Sequence, residues 1–199
     1  MWLSDEVIHA YLRLLFQRFS SSHPTAPPCA YFKSFFMTSL MQEGHTDVSL
    51  RGTYNHSRVQ RWPRRVDSQS DIFRLHKLFI PINVDQGHWI HAFISFPHRT
   101  VTVYDSMGSP GYYHLAILRR YLHDEHQLRR GAPLPLDWRF IPCPLHTPRQ
   151  PNSFDCGVYT CSFVDRLLRD LPLTVTPADI ARYRGWMAAG LLAGSLPAV

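Results

Sequence analysis

Val7, Ile8, Tyr11, Leu12, Leu15 and Phe19 recur at three- and four-residue intervals, which predicts an amphipathic helix over residues 5–19. Ser4 stands at its N-cap position, and Asp5 and Glu6 suit the first turn. Ser20 to Pro28 is a polar, proline-bearing loop. Phe32, Phe35, Phe36, Leu40 and Met41 then mark a second buried segment, read as helical. Leu78 to Val84, Trp89 to Phe96 and Val101 to Tyr104 are rich in Ile, Val and Phe and read as strands, with a turn at Pro97–Thr100. Tyr112 to His126 predicts a helix with Leu115, Leu118, Tyr121 and Leu122 inward, stopped by Gly131–Pro135. Trp138 to Ile141 is a short strand. The proline-rich loop Pro142–Pro151 leads to a helix over Gly157–Arg169, and Pro177 opens a last helix ending at Leu192. Helices, then clustered strands, then helices predict an α+β fold with a small central sheet packed between helices. No repeat or linker interrupts the pattern, so residues 1–199 are expected to form a single domain.

Composition narrows the class. Of 199 residues, 45% are hydrophobic and 13% aromatic, which excludes a disordered chain. The formal net charge is +6, compatible with a solvated basic face, an acidic protein partner or a nucleic acid. Residues 44–70 have the weakest pattern, and Arg51, Arg58, Arg61, Arg64 and Arg65 cluster there around Trp62 and Pro63. This is expected to be a surface segment, a loop with a short helix. No nucleic-acid motif accompanies it, so no nucleic-acid partner is expected.

The four cysteines, Cys29, Cys143, Cys156 and Cys161, include no Cys-x-x-Cys pair, so no metal site is expected. Asp5 and Glu6 lie where a secretory leader would need basic and then apolar residues. The apolar run Trp186–Ala193 is too short to span a bilayer. The expectation is an intracellular protein in a reducing compartment, without a membrane partner.

The chemistry concentrates in Gln150-Pro151-Asn152-Ser153-Phe154-Asp155-Cys156-Gly157. Cys156 falls at the mouth of a predicted helix, where exposed N–H groups and the macrodipole favour a thiolate. Cys161, farther along, reads as core, and Cys29 and Cys143 have no telling neighbour. His88 opens a strand after Asp85-Gln86-Gly87 and can pair with the thiol as an imidazolium. Asp105 ends the strand after the turn, and a hairpin can bring it beside His88 to orient the ring. Gln150 can donate its amide to an oxyanion, together with the Cys156 N–H. His91, His98, His114, His123, His126 and His146 read as surface or packing residues, with His91 on the sheet face opposite His88. Cysteine, histidine, carboxylate and amide are the parts of a thiol acyl-transfer site.

Four blocks carry a family resemblance. Trp2-Leu3-Ser4-Asp5 is similar to a Trp-Leu-Asn-Asp opening, with serine for asparagine. Phe79-Ile80-Pro81-Ile82-Asn83 with Gly87-His88-Trp89, then Tyr104-Asp105-Ser106, then Arg149 to Tyr159 complete it, and Ile180 to Trp186 resembles the closing helix. Together they resemble the catalytic domain of the SUMO-specific (ubiquitin-like-protein-specific) cysteine proteases, in the wider papain-like group. The resemblance implies a papain-like fold and a Cys156–His88–Asp105 triad, with Gln150 at the oxyanion hole. It also implies that Trp2 and Trp89 clamp a Gly-Gly tail, with Asp5 touching a basic residue of the modifier. The implied activity is processing and isopeptide cleavage after the C-terminal Gly-Gly of SUMO by a monomer, without cofactor, in the nucleus or cytoplasm. The alternatives are ubiquitin or the neddylation modifier as substrate, an acetyltransferase using the same triad, or an inactive relative that only binds the modifier.

Overall fold

The computed structural model describes residues 2–197. Helix α1 (Asp5–Ser22) is followed by strand β1 (Cys29–Tyr31) and a short α2 (Phe35–Leu40). Strands β2 (Lys77–Val84), β3 (His88–Ser95) and β4 (Thr100–Tyr104) lead to α3 (Tyr112–Arg130) and β5 (Arg139–Ile141). Helices α4 (Cys156–Leu168) and α5 (Pro177–Ala193) close the fold. The strands form one five-stranded sheet in the order β1-β2-β3-β4-β5. Its centre, β2-β3-β4, is antiparallel; β1 and β5 add to its edges in parallel.

The unbroken apolar runs of β2 and β3 have a simple cause, because both faces of the sheet are covered. Leu78, Ile80, Ile82, Ile90, Ala92, Ile94, Val101 and Val103 face a core shared with α2 and α3. Phe79 and Trp89 point the other way, into a second core built with α1, α4 and α5. This is the α+β arrangement expected, with helices on both sides of a small sheet.

Several boundaries differ from expectation for identifiable reasons. Helix α3 runs to Arg130, past the last apolar position, because the buried Glu125 is held by His56 and by Arg129 one turn on. It stops at Gly131, whose φ of +66° is the left-handed C-terminal cap that glycine adopts without strain. Strand β1 went unforeseen: its three residues carry little local signal, and only the parallel register Cys29↔Lys77 defines it. Ser4 occupies the N-cap of α1 but makes no side-chain capping bond.

Residues 44–70 were expected to lie on the surface as a loop with a short helix. They fold into successive 3-10 turns at Val48–Leu50, His56–Arg58 and Trp62–Arg65. Trp62 is buried, edge-on to Phe32, Phe35 and Phe36. The tryptophan thus anchors a segment whose arginines remain outside. The Tyr54 hydroxyl on Asp124 and His56 on Glu125 pin the same segment to α3.

Candidate active site

Cys156 is the first residue of α4. The turn before it is tightly wound. The Asn152 side-chain oxygen accepts from the N–H groups of Phe154 and Asp155, while its amide donates to the Asp155 carboxylate at 2.7 Å. Arg184, from α5, reaches the same carboxylate. The Tyr159 hydroxyl, one turn into α4, donates to the Arg149 carbonyl. The proline-rich loop is therefore fastened on both sides of the thiol.

His88 arrives from the sheet. The turn before it holds Asp85 at φ 49° and Gln86 at φ 54°, left-handed conformations that twist the strands as a tight hairpin requires. The β3–β4 ladder then sets its partner. Its last pair is His91↔Tyr104. One step further, Asp105 falls opposite Ile90, on the same sheet face as His88 and diagonal to it, a separation that long side chains bridge. His88 Nε2–H donates to Asp105 Oδ1 at 2.7 Å. The ring's other nitrogen is left for the Cys156 thiol, to which His88 is electrostatically coupled.

The electrostatics follow from these contacts. Burial works against the charged His88, but the bonds to Asp105 and Cys156 outweigh it and raise its pKa to about 9. Burial also disfavours the Cys156 thiolate. The His88 bond and the backbone N–H groups of Trp89 and Gly157 reverse that and bring the thiol below its usual value. Asp105 is 2% exposed, so it is not a solvated loop residue. Desolvation is opposed by His88 and by the Met107 and Ser109 N–H groups, which hold its carboxyl below the usual range. Coupled in this way, the thiol and imidazole can share one proton as a thiolate–imidazolium pair at neutral pH.

Gln150 sits in the same framework. Its backbone N–H donates to the Ser106 carbonyl at 2.9 Å, and its side-chain amide bridges Ser106 and Asn152. The amide therefore lies between the Asp105 loop and the turn that presents Cys156. Trp89 is packed in the core, with its indole N–H donating to the Leu3 carbonyl at 2.9 Å. Trp2 is 47% exposed and lies against Gly87, the residue before His88. Leu3 packs on Gly157 beside the thiol. Asp5 accepts from the Ser34 hydroxyl, a partner within the chain.

The remaining candidates separate cleanly. Cys161 is buried in the core and its thiol is pushed well up by burial. His91 lies on the opposite face from His88, fully buried between Tyr104 and Phe163. Cys143, which had no telling neighbour in sequence, lies under Asp105: its sulfur meets the Asp105 N–H at 3.4 Å and carbonyl at 3.5 Å. Asn152, Ser106 and Arg184 were also missed as site residues. Asn152 three residues before an aspartate-cysteine pair is the single local signal among them. Among the described residues, no group of three or more His, Cys, Asp or Glu is placed to hold a metal.

Comparison with known proteins then places the chain among them. The chain is 31% identical over 193 residues to sentrin-specific protease 2 of Mus musculus, covering 96% of this chain and 30% of that protein. It is 30% identical over 199 residues to ubiquitin-like-specific protease 1 of Saccharomyces cerevisiae, covering 98% of this chain and 28% of the yeast protein. The chain thus spans less than a third of the length of these relatives. The catalytic domain of the Chaetomium thermophilum Ulp1-like SUMO protease superposes with a TM-score of 0.77 at 26% identity, over 98% of this chain and 73% of that one. The Ulp1 protease domain in complex with Smt3, the yeast orthologue of SUMO, gives 0.74 at 27% identity, over 97% and 77%. The sequence pattern of the Ulp1 family's C-terminal catalytic domain matches residues 1–190, a span that takes in every site residue described above. With the family pattern matched over residues 1–190 and the fold shared with solved Ulp1 domains, this chain belongs to the Ulp1 protease family.

Proposed function

We propose that this chain is a cysteine peptidase that cleaves after the C-terminal Gly-Gly of SUMO, both in precursors and in conjugates. The observation that carries the proposal is His88 held between Asp105 and Cys156, which supplies an anionic sulfur and a proton donor in one contact. The relatives named above, and a solved neighbour bound to Smt3, support the choice of modifier.

In this reading Cys156 Sγ attacks the carbonyl of the terminal glycine. The negative charge moves to the carbonyl oxygen, where the Gln150 amide and the Cys156 N–H receive it. His88 gives its proton to the departing lysine amine as the C–N bond breaks, leaving a thioester. His88 then takes a proton from water, whose oxygen attacks the thioester, and the thiolate leaves with the tail released as a carboxylate. Asp105 keeps the imidazole oriented and stabilises its charged form.

Cys156 is 1% exposed, with Leu3 seated against Gly157, so a substrate tail reaches the sulfur by displacing the Trp2–Leu3 segment. A Gly-Gly tail suits the slot this opens between Trp2 and Trp89, because side chains larger than hydrogen would meet the indoles. The chain is proposed to act in the nucleus or cytoplasm, where reducing conditions protect a reactive thiol.

The test is a panel of C-terminal electrophile probes built on SUMO, ubiquitin and the neddylation modifier. A covalent adduct with SUMO alone is expected, and its loss in Cys156→Ser. Adducts with another modifier reassign the substrate. No adduct with any of the three makes the chain a binding protein.

A further inference from the structure

Ser106 follows Asp105 directly and is 2% exposed. Its hydroxyl lies 2.6 Å from Gln150 Oε1, while Gln150 Nε2 donates to the Asn152 carbonyl at 2.5 Å. A carbonyl can only accept, so Asn152 fixes which end of the amide is nitrogen. The oxygen end therefore faces Ser106, whose hydroxyl must donate. An amide turned over would set two carbonyl oxygens against each other. Between them, Ser106 and Asn152 occupy the amide oxygen and one of its two N–H groups, which leaves the second N–H to donate elsewhere.

The same serine is part of the loop that carries Asp105. Its carbonyl accepts the Gln150 backbone N–H at 2.9 Å, and Arg149 donates to the Asp105 carbonyl at 3.2 Å. Gly108, at φ +93°, lets the Arg149 guanidinium lie against this loop, where a Cβ would sit 1.8 Å from it. The two loops are thus held together by one backbone bond and one from the Arg149 guanidinium, neither of which involves the Ser106 hydroxyl.

We propose that Ser106 is a positioning residue for the oxyanion donor. Its hydroxyl pins the Gln150 amide so that the free N–H faces the oxygen on which charge develops, and it couples that donor to the loop of the triad carboxylate. This rests on the role given to Gln150 above.

The experiment compares Ser106→Ala and Ser106→Thr on a SUMO-derived Gly-Gly amide substrate. Loss of an oxyanion donor outright lowers kcat by about 10²–10³-fold. An amide that keeps its donor but loses its alignment is expected to lower kcat by about 10- to 100-fold with KM within about twofold. Ser106→Thr keeps the hydroxyl and restores kcat. In a Gln150→Ala background, Ser106→Ala should add little, because its effect passes through the amide. Alkylation of Cys156 by iodoacetamide forms no oxyanion and should keep its rate and pH midpoint. Nitrogen-15 relaxation of the Gln150 side-chain amide should show a rigid group in the parent and a mobile one in Ser106→Ala. That last reading needs no turnover, so it separates this inference from the proposed activity. An equally rigid amide in both proteins, additive losses in the double variant, or slowed alkylation would overturn it.

Discussion

Asp105 lies one ladder step past the last β3–β4 pair, on the sheet face of His88, and accepts its Nε2–H at 2.7 Å. The residues are 17 apart in sequence, and the hairpin register alone makes them neighbours. Three separate elements then converge on one imidazole: β3 carries the ring, the residue just after β4 the carboxylate, and the first turn of α4 the sulfur.

The rate should follow this pair with pH. The active form needs Cys156 ionised and His88 protonated. With the thiol lowered and the imidazole raised to about 9, kcat/KM rises below the usual thiol range and falls again near pH 9 as His88 loses its proton. Asp105→Asn removes the negative charge that helps to raise His88, so the alkaline limb should move to lower pH. Its rate at neutral pH should fall by about 10²–10⁴-fold. An alkaline limb unmoved in Asp105→Asn would argue that the carboxylate does not set the ring's charge.

His91 predicts an unusual stabilising substitution. Both its ring nitrogens are buried without a hydrogen-bond partner. A buried unsatisfied polar group costs about 1–3 kcal/mol, and replacement by an apolar side chain of similar size recovers much of that. Burial also lowers its pKa to about 3. The unfolded chain takes up a proton near pH 6.5 while the folded chain does not, so stability is lost as pH falls through that value toward 3. Urea unfolding of His91→Leu should show a gain of about 1 kcal/mol or more at pH 7, growing by pH 5. A loss at both pH values would refute this account.

Lys77 predicts a loss. Its buried ammonium donates to the Leu167 and Leu168 carbonyls at 2.9 and 3.2 Å and pairs with Asp170 at 2.7 Å. It caps the C-terminal end of the helix whose other end presents Cys156, where a positive charge meets the negative pole of the dipole. Lys77→Met keeps the stem and removes the cap. Denaturant unfolding should register a loss of about 1–3 kcal/mol, and unchanged stability would mean that water replaces the cap fully.

Arg58, Arg61, Arg64 and Arg65 are exposed around the buried Trp62. With the indole turned inward, except where Arg65 lies over its ring at 4.9 Å, the segment offers charge rather than a stacking surface. Reversal of Arg61, Arg64 and Arg65 to glutamate should lower kcat/KM toward SUMO by about tenfold at low salt, with the difference shrinking at high salt. An unaffected rate at low salt would show that this face does not meet the modifier.

The sequence alone determined much of this molecule, because its strongest signals are local. Apolar runs long enough to be covered on both faces marked β2 and β3. Helical spacing marked α1, α3, α4 and α5, and a cysteine at a helix mouth marked the thiol. Local spacing could not set the register that joins Asp105 to His88, since a shift of one residue turns every side chain to the other face. Nor could it reveal that Trp62 turns inward, that Cys143 and Ser106 brace the Asp105 loop, or that a three-residue β1 exists. Those features depend on which distant backbone atoms finally meet, and packing and long-range hydrogen bonds decide that only once the whole chain has closed.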